Sequence, residues 1–318
     1  MPEHEQKPEV LTVTVNPSVD RLVYVKRLVL HDANRVLRIE EDVGGKGVNV
    51  ARVLRRLGVP VLAAGFLGGR TGRYVQRELS EIDGVQCAFV QIRGETRTNL
   101  AIQEEGGSPP TALNERGPEI SPVELDTLLK AVEMLSGGMR FVALGGSLPP
   151  GVPTDIYATL GEVASRRGAK VVLDADGEPL VHGLKACPYL IKPNENEAER
   201  LLGRAIDTLD DAARAACELH KGGVPIAIVS VGEKGAAVAS PEGCWVAIPP
   251  KVRAVSTIGS GDSMIAGVLS VLVRDGTVEE AIRWGTAAGA ATAMTDGTDI
   301  GTAEQIRELL PQVEVRRW

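Results

Sequence analysis

The sequence predicts an α/β fold in which a mostly parallel sheet is covered on both faces and carries a small β extension. Short, apolar, β-branched runs alternate with longer amphipathic segments, the pattern of buried parallel strands joined by helical crossovers. Several helical segments also announce their own starts. Ser121-Pro-Val-Glu124, Thr277-Val-Glu-Glu280 and Thr302-Ala-Glu-Gln305 each set a hydroxyl ahead of Glu or Gln at capping-box spacing. Right-handed crossovers then bring the strand C-termini, and any ligand, to one edge of the sheet.

In chain order, Leu11-Thr-Val-Thr-Val15 reads as a strand stopped by Asn16-Pro17, and Arg21 to Asp42 as a peripheral sheet. Apolar positions at helical spacing follow Gly44-Gly45 and end at Gly58. Residues 59–66 form a strand, 72–82 a helix, and 85–92 and 98–103 two alternating strands. The helix opened by Ser121 runs to Leu135. Strands are expected at 141–145, 170–173, 190–191 and 226–231. Helices are expected at 154–167, 195–202 and 209–221. Neither an internal repeat nor a low-complexity linker interrupts this order, so residues 1–318 are expected to form one domain.

Composition narrows the function classes. Hydrophobic residues make up 43% and charged residues 24% of 318, which excludes a disordered chain. A net charge of -7 argues against a nucleic-acid partner held by bulk electrostatics, while leaving room for an anionic small molecule met by local cations. Met1 to Pro8 is polar, unlike a signal peptide, and no apolar run reaches the roughly 18 residues of a membrane span. The expectation is a cytoplasmic protein with no membrane partner. Cys87, Cys187, Cys217 and Cys244 are scattered without a CxxC pair and read as reduced thiols.

The most informative stretch is Ser256-Thr-Ile-Gly-Ser-Gly-Asp262, followed by an apolar helical run. Gly259 and Gly261 flank Ser260 and let successive amides converge on an anion. The helix start adds its positive end, and the Asp262 carboxylate can accept a proton from a hydroxyl. A plain Gly-rich helix cap is the bland alternative.

Gly44-Gly45-Lys46-Gly47-Val48-Asn49 resembles a phosphate loop but lacks Walker A spacing. It still offers Lys46 and Asn49 at a helix start, or else marks a glycine-packed junction. In Leu190-Ile-Lys-Pro-Asn-Glu-Asn-Glu197, Asn194 and Glu197 share the first helical turn. They suit a water-bridged Mg²⁺, or simply a capping box. Val229-Ser-Val-Gly-Glu-Lys-Gly235 fits a strand and a turn near a nucleotide, or an ordinary hairpin. Asp20, Arg35 and Arg97 lie in or beside the small sheet, as ligand contacts or as solvated charge.

In order and over nearly the whole chain, these motifs resemble the ribokinase-like sugar kinases, specifically the phosphofructokinase B branch. Asn16-Pro-Ser-Val-Asp20 is similar to the opening substrate motif, Gly44 to Arg52 to the first signature, and Gly145-Gly-Ser-Leu-Pro-Pro-Gly151 to the loop after a central strand. Lys192 to Glu197 is similar to the N-x-x-E metal motif. Residues 256–262 are similar to the second signature, with Ser260 where alanine is usual.

The resemblance implies a three-layer α/β/α core and a β lid formed by segments 18–43 and 94–112, through which a homodimer pairs. It implies ATP and Mg²⁺ as cofactors, Asp262 as catalytic base, and Gly259, Ser260 and Gly261 as an anion hole. Lys192, Asn194, Ser230, Gly232, Gly235 and Thr257 would face the nucleotide, and Asn194 and Glu197 the metal. Asp20, Arg35, Gly44, Gly45, Lys46, Asn49, Arg97 and Ser147 would hold the sugar. A monovalent cation would sit beside the backbone of Ser256, Ile258 and Thr292.

The branch acts on hexoses that already carry a phosphate, and Lys46, Arg35 and Arg97 could grip that dianion. Lysine within the glycine motif, and Thr111 to Pro118, resemble the kinases of fructose 1-phosphate and tagatose 6-phosphate more than that of fructose 6-phosphate. Fructose 1-phosphate is the expected substrate. A Rossmann dehydrogenase would need G-x-G-x-x-G after the first strand, where Asn16-Pro17 stands instead. A non-catalytic sugar-phosphate sensor on the same fold would be expected to lose the base or the glycines, and both are present.

Overall fold

A computed structural model describes residues 7–106 and 110–318. Most of the polar N-terminal stretch, and positions 107–109 of the second lid segment, lie outside the described residues. The chain opens with β1 (Val10–Thr14), then leaves the core for β2 (Ser18–Val25) and β3 (Val36–Gly44). It returns through α1 (Lys46–Arg56), β4 (Val61–Gly68), α2 (Gly69–Arg77) and β5 (Gln86–Ile92), and departs again for β6 (Arg97–Glu104) and β7 (Thr111–Leu113). A regular alternation follows: α3 (Pro122–Leu135), β8 (Phe141–Gly145), α4 (Ile156–Arg166), β9 (Lys170–Asp174), α5 (Gly177–Leu184) and β10 (Leu190–Ile191). Then come α6 (Glu195–Leu202), α7 (Leu209–Lys221), β11 (Ile226–Ser230), β12 (Ala236–Ser240) and β13 (Gly243–Ile248). The chain ends with α8 (Ser260–Leu272), α9 (Val278–Ala293), α10 (Ala303–Leu309) and β14 (Glu314–Arg317).

The large sheet has ten strands in the order β14-β13-β12-β11-β10-β9-β8-β1-β4-β5. From β11 to β5 every pairing is parallel, whereas β12, β13 and β14 add an antiparallel edge. A cluster with Val48, Leu54, Ile265, Leu269 and Ile282 covers one face, and another with Leu128, Leu160, Ala212 and Ala216 covers the other. Residues of β1 point alternately to both faces, which is why that strand is buried throughout. The α/β class and the mostly parallel sheet stand as the sequence predicts.

Two helices differ from expectation, and one open alternative resolves as a hairpin. The helix expected at 72–82 begins at Gly69 and loosens into a π turn over Glu78–Ile82. Helix α5 was not anticipated, because Gly177, Pro179 and Gly183 dilute its periodicity, yet Leu180 and Gly183 pack into the core. The turn after β11 is a 3-10 turn at Gly232–Lys234 that closes a hairpin onto β12. Ala-rich β12 and the unpatterned apolar run of β13 had carried too weak an alternation to be read as strands.

The second sheet has the order β3-β2-β6-β7, built from the two excursions predicted to form a small β unit. Its strand ends Ser18, Gly44 and Arg97 lie side by side in register, next to the C-terminal edge of the large sheet. On that edge Thr14, Gly145 and Asp174 form one row across β1, β8 and β9. The first turns of α1 and α8 face the same place.

Candidate active site

Helix α8 begins behind Gly259, whose φ of 76° is left-handed backbone that glycine adopts without strain. As N-cap it has no side chain to accept from the first-turn amides, which leaves them and the helix dipole for an incoming anion. The Ser260 hydroxyl is buried without a hydrogen-bond partner. Gly261 lies against Lys192, since a Cβ placed there would sit 3.1 Å from Nζ. Thr257 is exposed just upstream, and its carbonyl accepts the Ser260 amide at 3.3 Å.

Asp262 stands in this first turn and is only 7% exposed. Asn49 Nδ2, from the first turns of α1, donates to its Oδ2 at 2.8 Å. Burial pushes the Asp262 pKa up to about 6, and the Asp174 charge adds to the rise. Lys46, the Asn49 hydrogen bond and Lys192 offset part of it. The carboxyl is therefore ionised at neutral pH while far more basic than an ordinary aspartate.

Lys46 opens α1 immediately after the Gly44-Gly45 turn, and its Nζ lies 3.2 Å from Asp174 Oδ1. Burial alone would lower its pKa, but Asp174, Asp262 and Glu197 outweigh burial and hold the ammonium above its usual range. Sequence reasoning had aimed Lys46 at the sugar's own phosphate. The structure turns it toward Asp174, beside the base, because the side chain leaves α1 over the sheet edge. Lys192 is almost fully buried at 3.6 Å from the same Oδ1. Asp174 itself was missed. Its signal was a carboxylate ending the strand Val171-Val-Leu-Asp174 on the ligand-facing edge.

Asp20 on β2 accepts from Ser18 Oγ at 2.8 Å and from Asn99 Nδ2 at 2.7 Å. Gly44 leaves room for the Asp20 carboxylate, since a Cβ there would come within 2.2 Å of Asp20 Oδ2. Arg97 starts β6 and donates to the carbonyls of Glu115 at 2.9 Å and Asn16 at 3.0 Å, while its buried Nε has no partner. Asn16, missed as a site residue, donates through Nδ2 to the Arg116 carbonyl and to Ser147 Oγ, tying two loops to the end of β1. Asp20, Asn99, Arg97, Asn16 and Ser147 thus form a polar floor beneath the small sheet.

Arg35 is a correction. It is exposed and precedes the outer end of β3, about 26 Å from Gly44 at the usual strand rise. An extended strand cannot fold back, so the chain's own site does not receive it.

On the opposite side, Asn194 caps α6 through its Oδ1, and Glu197 Oε2 accepts the Asn194 amide at 2.8 Å. The capping-box alternative is therefore real. It leaves one Glu197 oxygen over, on a buried carboxyl whose pKa burial raises and Lys46 partly restores. Asn194 also forms a bridge with Ser230, which brings the metal motif to the nucleotide strand with Gly232 and Gly235 just beyond. Among the described residues, no group of three His, Cys, Asp or Glu side chains is placed to hold a metal. That donor set fits Mg²⁺ carried mainly by phosphate and water, with Glu197 supplying a hard oxygen.

Of the backbone expected for a monovalent cation, Thr292 is already engaged. The Thr292 carbonyl already accepts from both the amide and the hydroxyl of Thr295, and the Thr292 hydroxyl is shared by Ser263 and Gly301.

Comparison with known proteins places this geometry. The profile of the pfkB family carbohydrate kinases matches residues 13–305. The chain belongs to that family. It is 36% identical to the 1-phosphofructokinase of Bacillus subtilis over 308 residues, covering 97% of this chain and 99% of that one. Phosphofructokinase-2 from Escherichia coli, solved with fructose-6-phosphate, superposes with a TM-score of 0.89 at 28% identity, covering 96% of this chain and 99% of that one. A possible 1-phosphofructokinase from Thermotoga maritima gives 0.86 at 29% identity, covering 97% and 99%. The resemblance read from the motifs is therefore shown, and this chain is a carbohydrate kinase. Among the described residues, no helix is long and apolar enough to cross a membrane.

Proposed function

We propose that this kinase transfers the γ-phosphoryl group of ATP to D-fructose 1-phosphate, giving fructose 1,6-bisphosphate. The observation that carries the reading is the buried Asp262 carboxylate at the N-terminus of α8, which no side chain caps, held by Asn49. A base and an anion-binding helix end meet there, as in-line transfer to a hydroxyl requires. Kinship with 1-phosphofructokinase supports the choice of sugar.

In this reading Asp262 takes the proton of the attacking hydroxyl, and the amides of Gly259 to Gly261 hold the transferring group. Lys46 and Lys192 face the same group. Asp20 and Asn99 bind sugar hydroxyls, while Arg97 with Ser147 receives the phosphate the sugar brings. Mg²⁺ bound with the nucleotide supplies positive charge on the phosphate oxygens, and Glu197 with Asn194 would hold it through water. The nucleotide lies along Ser230, Gly232, Gly235 and Thr257.

The small sheet serves as a lid over the sugar within a single domain of 1–318. Its outer strands expose Val36, Leu37, Ile39 and Leu113, an apolar face that a second copy would cover in a homodimer. Arg35 can serve a sugar phosphate only across such an interface. The enzyme works in the cytoplasm, where its phosphorylated substrates are confined.

The test is ADP release across fructose 1-phosphate, fructose 6-phosphate, tagatose 6-phosphate and unphosphorylated sugars. Fructose 1-phosphate should give the highest kcat/KM. A preference for another sugar phosphate replaces the substrate, and binding without turnover would make the chain a sensor.

A further inference from the structure

Asp174 has no task in the chemistry just described. It is neither the base nor a contact of the sugar floor, yet it is a carboxylate only 5% exposed at the centre of the catalytic edge. Such a group is expensive to bury unless it is compensated. Both of its oxygens lack a hydrogen bond of ordinary geometry, so the compensation comes from two ammonium groups. Lys46 Nζ stands 3.2 Å and Lys192 Nζ 3.6 Å from the same oxygen, Oδ1.

The two lysines come from different elements. Lys46 leaves the first turn of α1, and Lys192 directly follows β10, ahead of the Asn194 cap. Lys192 lies against Gly261 of the α8 turn. Burial alone would raise the Asp174 pKa, but Lys192 and Lys46 outweigh it and keep the group ionised. Without Asp174, the nearest remaining carboxylate charges acting on Lys46 are Asp262 and Glu197. A lysine paired with Asp262 would mask the base. Asp174 thus restrains Lys46 from that pairing and brings both cations to one point beside the α8 turn.

We infer that Asp174 is a positioning residue for phosphoryl transfer, a buried carboxylate that fixes Lys46 and Lys192 beside the transferring group and keeps Lys46 off the base. This inference rests on the kinase reading of the site. Wild-type turnover on the sugar panel checks that reading separately from the variants.

The experiment is a mutant cycle on the full-length enzyme with steady-state kinetics, using Asp174→Asn, Lys46→Met and the double variant. Asp174→Asn should lower kcat by about 10- to 100-fold, the range for removing a group that orients a working residue, with KM for the sugar phosphate changed less than about three-fold. If Asp174 acts through the two lysines, the double variant should lose clearly less than the product of the two single losses, the remainder being the share that passes through Lys192. Asp174→Glu, which keeps the charge, should recover part of the loss and gives the readout if the Asn variant does not fold.

Mn²⁺ affinity in the presence of the ATP analogue AMP-PNP, read by electron paramagnetic resonance, should be unchanged in Asp174→Asn. Three results would overturn the assignment: a folded Asp174→Asn with wild-type kcat, additive losses in the cycle, or weakened Mn²⁺ binding with activity restored by excess Mg²⁺. The last would make Asp174 a metal ligand.

Discussion

Asn49 and Asp262, 213 positions apart, meet in a buried 2.8 Å hydrogen bond that joins the first turns of α1 and α8. Each helix starts after a glycine that the backbone needs, Gly45 with φ 119° and Gly259 with φ 76°. The bond therefore fixes the carboxylate relative to both glycine turns. It also favours the ionised form of a group whose pKa burial raises.

Asp262→Asn should lower kcat by about 10²- to 10⁴-fold with little change in sugar KM, the usual effect of removing a positioned base. The same change should stabilise the fold at pH 7.5. The folded-state pKa of about 6 lies above the ordinary carboxylate value, so folding favours the protonated form. Stability from this group is full below pH 4 and is lost as pH rises through about 6. The neutral amide avoids that loss, by about 1 to 3 kcal/mol. Urea titrations of both proteins at pH 7.5 check it, and an unchanged or lower stability removes the burial argument.

Turnover should fall below pH 6 with unit slope as Asp262 takes up a proton. Asn49→Ala deletes a donor that lowers this pKa, so the acid limb should move to higher pH. The kcat at the plateau should drop by about ten-fold or less, in line with one lost hydrogen bond. A pH profile of kcat/KM for both enzymes measures the shift. An acid limb that moved to lower pH would mean that Asn49 does not favour the charged carboxylate.

Arg97→Ala should raise KM for the phosphorylated sugar by about 10- to 100-fold and change kcat little, as expected for a lost charge-assisted contact. Arg97→Lys should recover only part, because an ammonium cannot keep the paired bonds to Glu115 and Asn16 carbonyls. Equal KM increases for phosphorylated and unphosphorylated ketohexose would show instead that Arg97 merely braces the floor.

The residues legible in the sequence are those whose role is local. Gly44 and Gly259 stand where a side chain would collide or strain the backbone, and the Ser121, Thr302 and Asn194 caps are written within a few residues. Asp174 was illegible because its meaning depends on Lys46 and Lys192, far away in sequence and adjacent only once the sheet forms. Arg35 was misplaced for the converse reason. It is close to Gly44 in sequence, but an extended strand carries the two apart. In the antiparallel edge, β12 went unread because its alanines give little hydrophobic contrast, and β14 because it is four residues long with a single apolar one.

Arg52 yields the last prediction. Its side chain is buried between two carboxylates, with Nη1 2.9 Å from Asp42 and Nε 2.8 Å from Asp83. It thereby ties α1 to the base of β3 and to the turn beyond α2. Arg52→Met keeps the volume but strands two partly buried carboxylates, and should destabilise the fold by about 3 kcal/mol. Burial already raises the Asp42 pKa, with Arg52 pulling it back. Without the arginine that pKa rises further, so the protonated form is favoured on folding and stability is lost as pH rises. The deficit should therefore be greatest near pH 8 and shrink toward pH 5, and adding Asp42→Asn and Asp83→Asn should restore much of it at pH 8. Denaturation midpoints at the two pH values measure both effects. A deficit independent of pH would trace the loss to packing rather than to stranded charge.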